Sequence, residues 1–410
     1  MAEVRIPRRI TGWAHEVRGV LRDPVLAVWC LFVFLIPFYL FPSGLPQPGD
    51  ILVIPLVIIA LRSWNGRLDR RIRRPLSTLI AFTLWVILID WGWAVFEGNF
   101  GLYGPDTFLL FPIYYIYNAL VFLVVCVLYH RYGARFLLLT VNIVFLTVVV
   151  QAAASVITYR GSGHRGVGFF NNPNQLGFFV LVSASIIALA KGRLAFSSGK
   201  IGFGLTLCFY LALLSASRAA VIGTGVLFAL TVITSPKRLA IVGIVAVGLI
   251  AVGGPLLNDA VDRTQQRLAE QRYPQFNFFQ ERGYDRILGN KEYWLLGAGE
   301  GGTNRFLETT IIGGTEIHSS LGTIFFCYGI VGITLFVVFL FRVVERASLR
   351  TIVILLLTLS YTVAHQGLRA TLVWILFALL VCIKLLPRAG GAAATPPRLP
   401  SPPSPPRVSP

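Results

Sequence analysis

The sequence predicts an all-α polytopic membrane protein, with about 12 transmembrane helices and one large outer loop containing short helices. Hydrophobic residues make up 55% of the 410 residues and charged residues only 13%, against about 25% charged in soluble domains. Mean hydropathy is +0.72. Apolar runs of the length that crosses a bilayer recur along the chain. These observations exclude a water-soluble fold for most of the chain.

Twelve apolar segments are candidates for spanning helices, since spanning needs about 20 mostly apolar residues. The second segment is short and contains Pro55, so we expect it to borrow residues from Ser43 to Asp50 or to be broken. The seventh and eighth are separated only by Ser217 and Arg218, which predicts a tight hairpin. The segments are Val25 to Phe41, Ile51 to Leu61, Leu76 to Phe96, Leu109 to Tyr129, Phe136 to Thr158, Gln175 to Ala190, Ile201 to Ala216, Ala219 to Thr234, Leu239 to Leu257, Ser319 to Phe341, Thr351 to Ala364 and Ala370 to Leu386.

Basic residues predict the orientation of these segments. The formal charge is +18, and cytoplasmic loops of membrane proteins collect Lys and Arg. With the N-terminus inside, the first two inner segments are strongly basic and the first two outer loops hold no Lys or Arg. Both termini are therefore expected in the cytoplasm, and the charge gives no reason to expect a nucleic-acid partner.

The chain divides into five regions on this basis. Residues 1–24 form a cytoplasmic N-terminal segment without a cleavable signal peptide, and residues 25–257 hold nine helices. Residues 258–318 form the large outer loop, and 319–386 hold three more helices. Residues 387–410 are a Pro-rich cytoplasmic tail expected to be disordered. The five cysteines lie within apolar stretches and form no CxxC pair, so neither a disulfide framework nor a metal site is expected.

Four arginines lie in short outer loops, against the inward bias. An arginine at membrane depth is costly unless it faces a partner or a wet cavity. Arg218 either snorkels to the interface, pairs with Asp90 or another acid, or binds an anion. The planar guanidinium suits phosphate because it donates two parallel hydrogen bonds. The anion hypothesis makes all four candidate phosphate ligands: Arg160, Arg165, Arg218 and Arg369.

Two loop segments hold further candidates. The run RGSGHRGVGFFNNPNQLG places Asn172 and Asn174 where the chain re-enters the membrane, with a helix cap at Asn174 as the alternative interpretation. In the long loop, Arg282 and Arg286 precede an LGAGEGG run. That run resembles a phosphate cradle only weakly, since no GK[ST] follows, and turn glycines are the favoured interpretation.

His318 and Asp90 are the candidate proton-handling groups. His318 closes the long loop directly before a predicted helix, and imidazole titrates near pH ~6.5. Its alternative is an ordinary hydrated surface histidine. His365, near Arg369, is a weaker second candidate. Asp90 is the only acid inside a predicted span, where it serves either as a structural partner for an arginine or tryptophan or as a proton-handling group.

Four motifs in this order resemble the O-antigen ligase and O-antigen polymerase family of bacterial membrane glycosyltransferases, over roughly residues 168 to 332. They are GFFNNPNQLG (168–177), SASRAA (215–220), YWLLGAGEGG (293–302) and HSSLGTIFFCYGIVG (318–332). The family's essential arginines and histidine would correspond to Arg218, to Arg282 or Arg286, and to His318. The chain departs from the family at Ala219, usually Gly, and at Ser319, often Asn.

The resemblance implies transfer of a glycan from undecaprenyl pyrophosphate at the periplasmic face of the bacterial inner membrane. In a ligase the acceptor is a sugar hydroxyl of the lipid A–core. The large loop would then be periplasmic, and no cofactor is implied. Arginines would stabilise the departing pyrophosphate, while His318 would act as base or bind phosphate as imidazolium. No DxD-type acidic cluster is evident in an outer loop, which predicts metal independence. Attack opposite the leaving group would invert the anomeric centre.

Other functions remain open at this stage. Polymerases often carry two sizeable periplasmic loops, whereas the loop after the fifth segment has only about 16 residues, which favours a ligase. A ligase that glycosylates protein is a related alternative. A transporter of a small anion or solute shares the twelve-helix layout, but concentrates polar groups near the bilayer midplane. A purely structural membrane protein would not explain the four outer arginines.

Overall fold

In a computed structural model, twelve helices of eleven residues or more follow the order of the twelve predicted segments. The structure describes residues 23–42, 45–64, 68–101, 107–157, 166–232, 236–269, 278–309 and 316–386, and no strand occurs within these ranges. The prediction of an all-helical protein is therefore confirmed there. The helices are α1 Pro24–Leu35, α2 Val53–Ser63, α3 Arg70–Phe96, α4 Leu110–Tyr132, α5 Ala134–Ile157, α6 Pro173–Leu189, α7 Ser198–Ser215, α8 Arg218–Val232, α9 Pro236–Ala269, α10 Ser320–Val344, α11 Leu349–Ala364 and α12 Thr371–Ile383.

Five helices in the described part of the chain are long and apolar enough to cross a membrane. They are α3, α4, α5, α7 and α10. Five further apolar helices, α1, α6, α8, α11 and α12, have 10–17 residues, short of the roughly 20 that a full crossing needs. Together these helices indicate a helical membrane protein. Twelve separate crossings remain a prediction.

The second predicted segment is broken, as one of its two alternatives anticipated. A single helical turn, Pro48–Ile51, precedes α2, and the two meet at Leu52. The turn is closed by a capping box, in which the Gln47 backbone N–H donates to Asp50 Oδ2 at 2.7 Å. Pro55 lies in the first turn of α2, where a missing N–H removes no helical hydrogen bond.

The segment assigned to the large loop begins as a helix. Helix α9 continues past Leu257, where the ninth apolar segment was predicted to end, and stops at Ala269. The short helices expected further along are present as Phe278–Glu281 and Tyr284–Gly289, followed by the 3₁₀ turns Lys291–Tyr293 and Thr303–Thr309. The helix Tyr284–Gly289 and the turn Lys291–Tyr293 both pack against α10.

Consecutive long helices run antiparallel, which gives the bundle two chemically different ends. At one end, Lys384 Nζ donates to the Val343 carbonyl at 2.6 Å and Arg350 Nη2 to the Ala188 carbonyl at 2.6 Å. We call this the basic end, because it carries most of the described Lys and Arg residues, among them Arg62, Arg70, Arg71, Arg73, Arg74, Arg131, Arg135, Arg193, Lys200, Arg342, Arg346 and Arg350. The long-loop residues pack on the opposite end, which we call the cavity end.

Helices α6 and α12 form the centre of the bundle. Every residue of α12 from Leu372 to Ile383 is buried, as is every residue of α6 from Leu176 to Leu189. Helix α12 packs on both α4 and α6. Both central helices start at the cavity end. Asn172 and Arg369, which precede them in the chain, therefore lie at that end.

Candidate functional site

A cavity of about 510 Å³ opens at the cavity end of the bundle. Its walls come from the termini of α1, α4, α6, α11 and α12 and from the segment before α2. Apolar side chains in the lining include Leu35, Ile113, Phe178 and Val182. Polar and charged groups in the lining are Gln47, Asp50, Asn172, Asn174, Gln175, Glu316, His318, His365, Gln366 and Arg369. The cavity therefore offers both apolar and polar contacts.

Four of the nine site residues predicted from the sequence line this one cavity. They are Asn172, Asn174, His318 and Arg369. Far apart in the sequence, they come together because α6, α10 and α12 all begin at this end. Arg160 and Arg165 lie outside the described residues.

Asn172 is built into the start of α6. Its Oδ1 accepts the Gln175 backbone N–H at 3.0 Å, and Gln175 Oε1 accepts the Asn172 N–H at 3.3 Å. This capping box satisfies N–H groups that lack helical partners. The alternative that placed a helix cap at Asn174 is therefore wrong, because the cap is Asn172. The Asn174 carbonyl instead accepts the Tyr361 hydroxyl at 2.7 Å, which joins α6 to α11.

His318 lies at the cavity in a segment held by backbone hydrogen bonds, and its side chain is exposed. Its N–H donates to the Arg282 carbonyl at 2.9 Å. Arg282 Nη1 in turn donates to Ala364, the last carbonyl of α11, at 2.7 Å. A cation at a helix C-terminus is favourable. Arg282 thus fixes the chain around His318, although it is not among the residues that line the cavity.

The two departures from the motif pattern have a local explanation. Ser319 Oγ accepts the Gly322 N–H at 3.0 Å and caps α10. Asn and Ser cap helices about equally well, so a serine at position 319 fulfils this role. Ala219 lies inside α8, where a Cβ favours the helix over glycine.

Arg369 is paired with two carboxylates. Its Nη2 lies 2.7 Å from Glu300 Oε1, and its Nη1 lies 3.2 Å from Glu316 Oε2. The guanidinium also lies 5.3 Å from the Phe111 ring centroid. Burial alone would lower the pKa of Arg369, but the Glu300 and Glu316 carboxylates outweigh it and raise the pKa. Arg369 therefore stays a cation next to the cavity.

Glu300 connects Arg369 to the core of the bundle. The Tyr328 hydroxyl lies 3.0 Å from Glu300 Oε2 and 3.1 Å from Asp90 Oδ2, so it bridges the two carboxyl groups. The Tyr115 hydroxyl lies 3.4 Å from Glu300 Oε2, and the Glu300 N–H donates to Asp90 Oδ1 at 2.7 Å. The hydrogen-bond partners of Asp90 are therefore a tyrosine and a backbone amide, where the sequence suggested an arginine or a tryptophan.

The glycine-rich run around Glu300 forms backbone hydrogen bonds with α10. Helix α10 is broken at Gly329, which has φ 66°. Across the break, the Ala298 N–H donates to Phe326 at 3.0 Å, and the Ile330 N–H to Trp294 at 2.8 Å. A Cβ on Gly297 would collide with the backbone of Cys327. Close backbone approach explains these glycines, in line with the turn interpretation over a phosphate cradle.

Arg286 lies deeper than the cavity. It is only 4% exposed, and its guanidinium lies 5.4 Å from the Phe306 ring centroid. Burial lowers the pKa of Arg286, but the ordinary pKa of an arginine is so high that the side chain remains charged at neutral pH. A second cavity of about 30 Å³ is lined by Arg286 together with Glu300, Glu316 and Arg369. Arg286 thus lies across this second cavity from the ion-paired group of Arg369, Glu300 and Glu316.

Arg218 stands apart from the two cavities just described and lines neither of them. It is exposed as the first residue of α8, after Ala216 makes the turn from α7 in a left-handed conformation with φ 46°. The predicted tight hairpin is confirmed. Gly177 of α6 packs against Ser217, so Arg218 belongs to the same end of the bundle as the large cavity.

Several residues of the site gave no signal in the sequence. Glu300 and Glu316 were two of nine acids in the long loop, without periodicity to mark them. Asp50, whose Oδ1 accepts the Tyr117 hydroxyl at 2.7 Å, lies in a short polar turn.

The chain matches no protein-family model and no curated protein sequence. The cavity, its charged lining residues and the sequence motifs are therefore the features of the chain that bear on its function.

Proposed function

We propose that this protein is an O-antigen ligase-like glycosyltransferase, which moves a glycan from undecaprenyl pyrophosphate to a lipid A–core sugar hydroxyl. The observation that carries the proposal is the shared cavity. His318, Asn174 and Arg369, which the sequence predicts for this chemistry, line one cavity whose lining also includes apolar side chains. A polyprenyl diphosphate needs both an apolar surface for its chain and cations for its diphosphate.

The cavity has the right polarity for such a donor. Leu35, Ile113, Phe178 and Val182 line the cavity and supply apolar contacts. Arg369 and His318 lie at the same opening, so a diphosphate can reach them while its polyprenyl chain remains among helices. Pockets of about 300–1,000 Å³ hold ligands of moderate size, which suits a headgroup with part of its lipid.

The reaction needs no external energy source, because the donor carries it. The acceptor hydroxyl oxygen attacks the anomeric carbon, the bond from that carbon to the diphosphate oxygen breaks, and undecaprenyl pyrophosphate leaves with the electron pair. A preorganised hydrogen-bond donor to the charge that develops on the leaving diphosphate stabilises the transition state by about 3 kcal/mol. The proton of the acceptor hydroxyl passes to a base, which raises the rate by a factor of roughly 10² to 10⁴. The attack inverts the anomeric centre.

His318 is the proposed base, and the arginines are the proposed diphosphate ligands. The exposed side chain of His318 at the cavity can take a proton from a bound hydroxyl. Arg369 is the cavity arginine, while Arg282 holds the backbone at His318 in place. Arg218, outside the cavity but at the same end of the bundle, is also a proposed diphosphate ligand.

The proposed location follows from charge. Basic residues favour the cytoplasmic side of a membrane, so the basic end would face the cytoplasm and the cavity end the periplasm. The bacterial inner membrane is the compartment where a lipid-linked glycan meets lipid A–core. Both termini would then be cytoplasmic.

Complementation tests the proposal. A host that lacks its own ligase but makes the lipid-linked polymer would express this chain, and its lipopolysaccharide would be separated on a gel. Polymer on lipid A–core is the expected result. Longer lipid-linked chains without transfer would instead identify a polymerase. If the gel stays unchanged with several donor glycans, although the protein is present in the membrane, the proposal is contradicted. The transporter alternative would then be tested by a transport assay.

A further inference from the structure

The two carboxylates on Arg369 differ in exposure. The Glu300 side chain is 6% exposed and that of Glu316 is 40% exposed, while Arg369 itself is 30% exposed. Glu316 also makes the longer contact, at 3.2 Å against 2.7 Å. An exposed ion pair contributes little to stability and is readily exchanged. Glu316 is therefore the partner that can leave Arg369.

The Arg369–Glu316 pair stands between the two cavities. Both residues line the large cavity and also the small inner one. Gln366, next to them, lines both as well. An anion in the large cavity therefore meets this pair before it reaches Arg286 on the inner side.

Glu300 holds the other side of the guanidinium in a fixed position. Its carboxylate contacts the hydroxyl groups of Tyr328 and Tyr115, and its backbone N–H is bonded to Asp90. These partners come from the core of the bundle. Removal of Glu316 from Arg369 would thus leave the guanidinium oriented by Glu300, with Nη1 turned toward the cavity.

We propose that Glu316 and a diphosphate oxygen of the lipid-linked donor compete for the same Nη1 face of Arg369, with Glu300 as the positioning residue. This inference rests on the proposed function and names how its site admits the donor. Arg369 with two carboxylates carries a formal charge of −1, which repels an anion. Departure of Glu316 makes the cluster neutral, and the phosphate then takes a charge-assisted hydrogen bond.

Binding of inorganic pyrophosphate to the purified full-length protein in detergent tests this competition. Glu316→Gln should lower the dissociation constant by roughly two- to fivefold, the size of an exposed ion-pair contribution. The matched control is Glu345→Gln, which removes a 34% exposed carboxylate that lies 3.6 Å from Arg74 at the basic end. That control should bind as the wild type does. Arg369→Gln should weaken binding at least tenfold.

Glu300 needs its own variant, because its removal also affects folding. Glu300→Gln should weaken pyrophosphate binding even in samples whose thermal unfolding shows a folded protein, and Glu300→Asp should recover part of the affinity. Unchanged binding in a folded Glu300→Gln protein would overturn the positioning role. Equal or weaker binding by Glu316→Gln, or no binding by the wild type, would overturn the competition. Glycan transfer is measured separately, so its absence alongside the predicted binding changes would count only against the proposed function.

Discussion

At the residue scale, Tyr328 connects two buried carboxyl groups. Its hydroxyl lies within 3.1 Å of both Asp90 and Glu300, and the Tyr328 side chain is fully buried. Buried polar groups without partners are costly, and two carboxyl groups in one site repel each other when both are charged. A single hydroxyl therefore links α3, α10 and the long loop.

Tyr328→Phe removes this hydroxyl while keeping the ring. We expect a loss of about 1–3 kcal/mol in stability, because the buried Asp90 and Glu300 carboxyl groups lose their shared hydrogen-bond partner. The measurement is the Tm of the purified protein in detergent. Tyr129→Phe, in α4 toward the basic end, is the matched control and should change Tm little. Equal Tm values for the two variants would contradict the role assigned to Tyr328.

Arg218→Lys tests whether phosphate binding depends on the guanidinium shape. A lysine is a point charge and does not reproduce the bidentate fork. We therefore expect Arg218→Lys to lose nearly as much glycan transfer as Arg218→Ala, in membranes with matched protein levels. Arg193→Lys, at the basic end, should retain full activity. Full transfer by Arg218→Lys would show that charge alone is sufficient.

The sequence indicates some residues of the site and not others, for physical reasons. Arg369 stands out because a basic residue in a short outer loop opposes the inward bias of Lys and Arg. His318 stands out because it closes the long loop directly before a predicted helix. Glu300 and Glu316 do not, because acids are ordinary in a hydrophilic loop and their partner Arg369 is distant in sequence. Pairing across the fold determines their role, and local sequence does not encode that pairing.

At the element scale, the break in α10 determines how the long loop meets the bundle. Gly329 has φ 66° and ψ −169°, a conformation almost confined to glycine. The break frees the Tyr328 carbonyl, which accepts Trp85 Nε1–H at 2.8 Å. The loop from Trp294 to Gly299 then bonds to the exposed backbone on both sides of the break. Glu300 is placed next to Asp90 by this docking.

Gly329→Ala tests the element directly. The backbone strain alone costs about 1–3 kcal/mol, and a Cβ would also collide with the Leu295 backbone. We expect a clearly lower Tm and lost transfer. Gly92→Ala, within α3 and with open space around its Cβ position, is the control and should preserve or raise Tm. A Gly329→Ala protein as stable as wild type would contradict the docking role.

Helices could be located from the sequence, and so could the break before α2, whereas the break in α10 could not. Hydropathy identifies an apolar segment regardless of its partner, so the twelve segments each contain a helix. Pro55 signalled the break before α2, because proline marks backbone distortion locally. Gly329 gave no such signal, since an apolar run tolerates glycine, and only the docked loop reveals why the helix stops there.

At the scale of the whole molecule, charge and cavity lie at opposite ends of the bundle. Most of the described arginines and lysines lie at the basic end, whereas Asp50, Glu300 and Glu316 lie at the cavity end. Such asymmetry orients helices in a membrane. It would also leave the cavity on the side that a lipid-linked donor reaches after translocation.

Cysteine labelling measures this orientation. Glu97→Cys is exposed at the cavity end, and Ser198→Cys is exposed at the basic end. We expect a membrane-impermeant maleimide to label the first in intact spheroplasts and the second only after permeabilisation. Wild type gives the background, since four of its cysteines are buried and Cys30 is half-buried. The reverse labelling pattern would place the cavity on the cytoplasmic side.

The central claim is that the cavity transfers a lipid-linked glycan, with His318 in its chemistry. The most direct measurement is transfer from a purified undecaprenyl pyrophosphate-linked glycan to lipid A–core by the purified protein. The control is His130→Ala, which alters an exposed histidine at the basic end and should transfer glycan at the wild-type rate. In His318→Ala the transfer rate should fall by a factor of roughly 10² or more. Transfer by His318→Ala at the wild-type rate, or none by folded wild type, would contradict the account.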